Sequence, residues 1–175
     1  QVIIPRKGVL ELGRLLTNEG SLKILVGSNH IRVELNDIRL TSKLIDGTFP
    51  DYQRVIPAGN EKQMEVDCKS FKAAVDRVAT ISSEKSRAVK LAVQENAVVL
   101  SANNPEQGSG NDEVPATFNG IEVMEIGFNA RYLLDITGQV EGENVTFDLS
   151  DGASPTIIRD PADPSALYVL MPMRV

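Results

Sequence analysis

Side chains able to do chemistry are sparse in this sequence, and their spacing limits what they could do. The 175 residues include one His and one Cys. His30 sits in His30-Ile31-Arg32-Val33-Glu34-Leu35, where polar and apolar residues alternate as on a half-buried strand, so it is expected to face solvent. A single His cannot supply a zinc site or a His-dependent triad. Cys68, being alone, excludes an intrachain disulfide and reads as a small buried hydrophobe. Asp46, Asp51, Asp148 and Asp151 could pair for acid–base work, but spacing in a strand-rich chain does not reveal such a pair. There is no P-loop, Rossmann glycine pattern, nucleophile elbow or metal-ligand cluster. The sequence therefore assigns no catalytic residue, no metal and no cofactor. The acceptor pattern Asn144-Val145-Thr146 occurs without a secretion signal and reads as coincidence.

Charge and apolarity suggest binding instead. Eighteen basic against 24 acidic residues leave a net charge of −6. Against that background Lys7 and Arg14 stand seven apart and share a helix face, with Arg6 at the helix start. Such a face suits phosphate contacts, and it equally suits an ordinary solvated helix. Lys69, Lys72, Arg77 and Arg131 are further cations, diluted by Asp76 and Asp135. The tail Tyr168-Val169-Leu170-Met171-Pro172-Met173 is apolar without alternation. It fits either a final core strand or the adaptable floor of a peptide pocket. No apolar run approaches the roughly 18 residues of a membrane span.

These groups must be positioned by a repeated unit. Val2-Ile3-Ile4, Met64-Glu65-Val66 and Met124-Glu125-Ile126 are short β-type segments, and each precedes a helical run. Pro5 and Asp67 suit the helix starts. Aligning Met64 with Met124 sets the register between the second and third copies. Three strands follow each helix: 22–27, 30–35 and 38–44; then 87–93, 97–102 and 113–118; then 144–149, 155–159 and 166–172. Pro57 to Lys62 reads as a linker, dividing the chain into 1–57 and 58–175. Gln107 to Asp112 reads as a mobile loop. One strand–helix–three-strand unit is too small to close a core, and two can cover each other's helices. Three units leave one unpaired. Together with the absent starting Met, this suggests that half a domain precedes Gln1.

Five stretches carry a family resemblance: Ile4-Pro5-Arg6-Lys7-Gly8, Thr41 through Tyr52, Ser101 through Gln107, Glu125-Ile126-Gly127-Phe128-Asn129, and Tyr168 through Arg174. In that order they resemble the bacterial sliding clamp family, the β subunit of DNA polymerase III. The match would cover the second half of the middle domain, 1–57, and the C-terminal domain, 58–175. The resemblance implies an α+β DNA-clamp fold, with repeated units paired into pseudo-two-fold domains. It implies a non-catalytic processivity factor, with a transferase label only by association with the polymerase. The full-length protein would be a ring-shaped homodimer, cytoplasmic and not membrane-bound, that encircles duplex DNA without reading its sequence. Its partners would be the polymerase III α subunit, the clamp loader, and other DNA polymerases or repair proteins, all bound through a short linear motif.

The resemblance places Arg6, Lys7 and Arg14 toward DNA. It places Pro50, Arg54, Val55, Asn129, Tyr132, Val169, Leu170, Met171, Pro172, Met173 and Arg174 at the peptide pocket, with Pro155 where the family has a small rim residue. Thr80, Ile81 and Glu106 fall on the C-terminal domain's side of the dimer contact. The pocket's Gly-His-Arg-Leu loop and the partner first domain have no counterpart in this chain. These 175 residues alone are therefore expected neither to close a ring nor to encircle DNA. The alternative is a peptide-binding module with no role at DNA.

Overall fold

Helix starts fix the register of the repeat. The computed structural model describes residues 1–17, 19–82 and 87–174. Helix α1 spans Arg6–Leu15, α2 Cys68–Ala79 and α3 Ala130–Thr137. Their caps are Pro5, Asp67 and Asn129. The Asp67 carboxylate accepts from the Ser70 N–H at 2.8 Å, and Asn129 Oδ1 accepts from the Arg131 N–H at 3.0 Å. Pro5 has no side-chain acceptor; its ring holds φ at −60° ready for the helix.

Counted from the caps, Asp67 corresponds to Asn129. Aligning Met64 with Met124 is therefore wrong by two residues. A slip of two keeps every strand side chain on its own face, so hydrophobic alternation cannot detect it. In the corrected register Val66 matches Phe128, Cys68 matches Ala130 and Phe71 matches Leu133, and all six are buried.

Two compact units follow, residues 1–51 and 52–175. The first holds a three-stranded antiparallel sheet of β1 (Lys23–Val26), β2 (His30–Leu35) and β3 (Ile38–Lys43). Its core is small: Ile31, Val33 and Leu44, backed by Ile4, Leu12 and Leu40. Helix α1 has no fully buried residue. The expected opening strand at Val2–Ile4 is reduced to one antiparallel bridge, Ile3 to Ile45.

The second unit joins two copies of the repeat. Its first copy supplies β4 (Lys62–Asp67), β5 (Ala88–Val93), β6 (Ala97–Asn104) and β7 (Gly108–Phe118). Its second supplies β8 (Met124–Asn129), β9 (Asn144–Leu149), β10 (Thr156–Asp160) and β11 (Asp163–Leu170). All eight form one sheet in the order β11-β10-β9-β4-β7-β6-β5-β8. The opening strands are exchanged: β4 pairs with β9 of the other copy, and β8 with β5. The sheet's apolar face and the two helices make one core, in which Phe71 meets Phe147 edge-on at 5.2 Å.

The mobile loop expected at Gln107 to Asp112 is mostly strand. Gly108–Phe118 pairs with β6 down to Asn104–Gly108. The Gly, Ser and Asn that read as loop residues are tolerated because the ladder is made by backbone groups. At Gly110 a Cβ would stand 2.3 Å from Ile81 Cδ1, so any larger residue would have to displace the end of that side chain.

Candidate nucleic-acid and peptide interfaces

The cap-based register brings out a cation that the sequence alignment hid. Lys7, Lys69 and Arg131 are each the second residue of their helix, and all three are exposed. No acidic residue lies in the first turn of any helix. A cation there opposes the helix dipole, so it does not serve helix stability. It does add positive charge at the positive end of the helix, where an anion is attracted.

The remaining cations are less available. Arg6 and Arg14 are exposed, but Arg14 Nη1 lies 2.9 Å from Glu11 Oε1. Arg77 is ion-paired with Asp112 at 2.6 Å. Arg131 has Asp135 one turn on, at 4.0 Å.

The tail residues divide by direction. Leu170 is buried in the core, Val169 is half-buried opposite Ile157, and Met171 is 61% exposed. Burial thus assigns Leu170 to the core and leaves Met171 at the surface. Beyond β11 the chain reaches β8, where the Met173 N–H donates to Gly127 O at 2.7 Å. That bridge sets the tail two residues from Asn129, whose side chain caps α3, and near the first turn that carries the exposed Tyr132. Arg174 lines a separate open cleft of about 630 Å³ with Lys90, Asn103 and Ser109. Arg54 and Val55 lie on a 3-10 turn, Tyr52–Val55, at the start of the second unit. Pro50 belongs to the first unit. Pro155 is half-buried, and its carbonyl accepts from Asn60 Nδ2 at 2.9 Å.

The residues expected at a subunit contact lie at the end of α2 and on the β6–β7 hairpin. Thr80 ends α2 and donates its hydroxyl to Arg77 O. Ile81 packs over Gly110 on the β6–β7 hairpin, and Glu106 lies in the turn of that hairpin.

Among the described residues no group of three or more His, Cys, Asp or Glu could hold a metal. Burial pushes the Cys68 thiol up, keeping it protonated and unreactive at neutral pH. His30 is exposed, with its Nδ1 2.7 Å from Asn29 Oδ1. No described helix is long and apolar enough to cross a membrane.

Comparison with known proteins agrees with the fold. The family described as DNA polymerase III beta subunit, C-terminal domain, matches residues 53–174, and its central-domain counterpart matches 1–51. The beta sliding clamp of Caulobacter vibrioides is 50% identical over 99% of this chain and 47% of its own length. That of Escherichia coli K12 is 47% identical over 99% of this chain and 48% of its own length. Among solved structures, the Bartonella birtlesii sliding clamp bound to griselimycin superposes with a TM-score of 0.94 at 50% identity. It is covered over 47% of its length by 99% of this chain. The chain thus spans about half the length of these relatives. With both domain families matched in order and the repeat geometry in place, the chain belongs to the DNA polymerase III beta subunit family and has its α+β clamp fold.

Proposed function

We propose that this chain is the working half of a sliding clamp: in the full-length protein it contributes to a ring-shaped dimer that encircles duplex DNA and tethers polymerases to it. The carrying observation is the exposed cation at one place in all three helices, Lys7, Lys69 and Arg131. A sliding tether must hold phosphates and ignore bases, so point charges on helix starts suffice and base-edge contacts are unwanted. The net charge of −6 keeps DNA off other surfaces. Arg6 belongs with this set, and Arg14 contributes less because Glu11 neutralises it. In this reading the protein carries out no reaction of its own and acts in the cytoplasm.

Partners bind through a short peptide at Met171, Pro172 and Met173, flanked by Tyr132, Asn129, Val55 and Arg54. Exposed Met and Tyr give an adaptable apolar surface for varied motifs. Thr80, Ile81 and Glu106 form this chain's side of the ring contact.

Two measurements test the proposal. In dimeric rings of the full-length protein, Lys7→Glu, Lys69→Glu and Arg131→Glu together shorten retention on circular duplex DNA and flatten its salt dependence by about five counterions, two copies of each cation being lost. Unchanged retention refutes the DNA-lining assignment. Met171→Ala weakens polymerase binding about tenfold and leaves the ring intact; unaltered binding removes the pocket assignment.

A further inference from the structure

The chain holds five sulfur atoms, in Cys68 and in four methionines, and all lie within the described residues. They differ in access. Met64 is 0% exposed and Met124 7%, both inside the main core. Cys68 is 5% exposed, and its thiol donates to Thr137 O at 3.6 Å. Its buried thiol stays protonated, so the thiolate that reacts with peroxides is scarce. Met173 is half-buried at its bridge to Gly127. Met171 is 61% exposed, which makes it the accessible sulfur of the chain.

The main chain holds Met171 in that open position. Leu170 before it is buried and pairs with Thr156 across β10 and β11. Pro172 after it has a fixed φ, and the Met173 N–H is tied to Gly127 O at 2.7 Å. With anchors on both sides, a local shift does not withdraw the Met171 side chain into the core. Its thioether is presented to solvent whenever the pocket is empty.

We propose that Met171 is an oxidation switch in the partner pocket: hydrogen peroxide converts its thioether to the sulfoxide before any other sulfur of this chain, and the sulfoxide weakens partner binding. The inference rests on the pocket reading above and adds its regulation. In the step a sulfur lone pair attacks one peroxide oxygen, an S–O bond forms and the O–O bond breaks. The proton of the transferred hydroxyl passes to the departing hydroxide, which leaves as water. Sulfur is oxidised by two electrons and the peroxide is reduced by two. The product is polar where the docked peptide needs an apolar, adaptable floor, so docking would bury a strong acceptor that has no donor. A reductase dithiol reverses the change: the oxygen leaves as water and the dithiol becomes a disulfide. A bound peptide covers the same sulfur, so occupied pockets are spared and idle ones are switched off.

Full-length rings treated with dilute hydrogen peroxide, then freed of it, test the proposal. Peptide mass spectrometry should find Met171 oxidised more than about ten times faster than Met64 and Met124, as access dictates. Polymerase binding by the oxidised ring should fall about tenfold, and methionine sulfoxide reductase should restore it. Met171→Leu, whatever its starting affinity, should lose nothing further on oxidation, while Met173→Leu should still lose about tenfold. Met171 oxidised no faster than the buried methionines, undiminished binding by the oxidised ring, or a Met171→Leu ring that loses binding as the parent does each overturns the proposal. If Met171→Ala itself leaves polymerase binding unaltered, the pocket reading falls and the switch with it. If Met171→Ala weakens binding and the sulfoxide does not, only the switch falls.

Discussion

Val26 and Val93 end the first strand of the same hairpin in the same repeat, yet one is exposed and the other fully buried. The difference runs through the two units. Among the described residues, 52–175 hold a continuous core of 26 buried hydrophobic residues, while the core cluster of 1–51 brings together Ile31, Val33 and Leu44. Both units have the apolar pattern, the hairpins and the helix. Burial is therefore set by the presence of the opposite repeat, and the sequence specifies only the face to be buried. Each half-covered Val, Leu or Ile side chain of residues 1–51 forgoes half of the roughly 1.5–3 kcal/mol that full burial contributes.

Substitution at matched positions should sharpen this contrast most. Phe71 and Val9 are equivalent on their helices. Phe71→Ala in the packed unit should cost about 3–5 kcal/mol in chemical denaturation. Val9→Ala in the open unit should cost under about 0.5 kcal/mol. Similar losses at the two positions would mean that Val9 is covered in solution.

Acid should act selectively on the second unit. Asp67, Asp151 and Asp160 are held below the ordinary value of 3.8, chiefly by hydrogen bonds from Ser70, from the Ala153 N–H and from the Ala162 N–H. Their folded values lie below their unfolded ones, so the stabilisation is present above pH about 4 and is lost as pH falls through the lowered values. Hydrogen exchange should show residues 52–175 losing protection in that window, and Asp160→Asn should blunt the loss. Protection that is flat in acid would contradict the role of these carboxylates.

The smallest effect concerns Thr156, whose buried hydroxyl has no hydrogen-bond partner among the described residues. Thr156→Val should raise the melting temperature slightly, corresponding to about 1 kcal/mol. A fall would imply that the hydroxyl is satisfied in solution.

The sequence showed the repeat, the three helices and most strands, because period, caps and turns are local signals. It misread Gly108 to Asp112, where pairing depends on the partner strand β6 and composition points to a loop. It also misaligned the second and third copies by two residues, since strand periodicity is blind to that shift. That error hid the equivalence of Lys7, Lys69 and Arg131. Asp67 and Asn129, read together as caps, would have revealed it. The pairing of Arg14 with Glu11 was visible as an i,i+3 spacing. The bridge from Met173 to Gly127 has no local signature.

The exchange of β4 and β8 has a consequence for synthesis. β4 cannot complete its second edge until β9 exists, about 75 residues further along the chain. At roughly 5–20 residues per second, a nascent chain carries that open strand for several seconds. Distant pairings of this kind also slow the search for the native topology. The local hairpins β1–β2–β3 and β5–β6–β7 form first, and the unit 52–175 locks only when its last third has emerged.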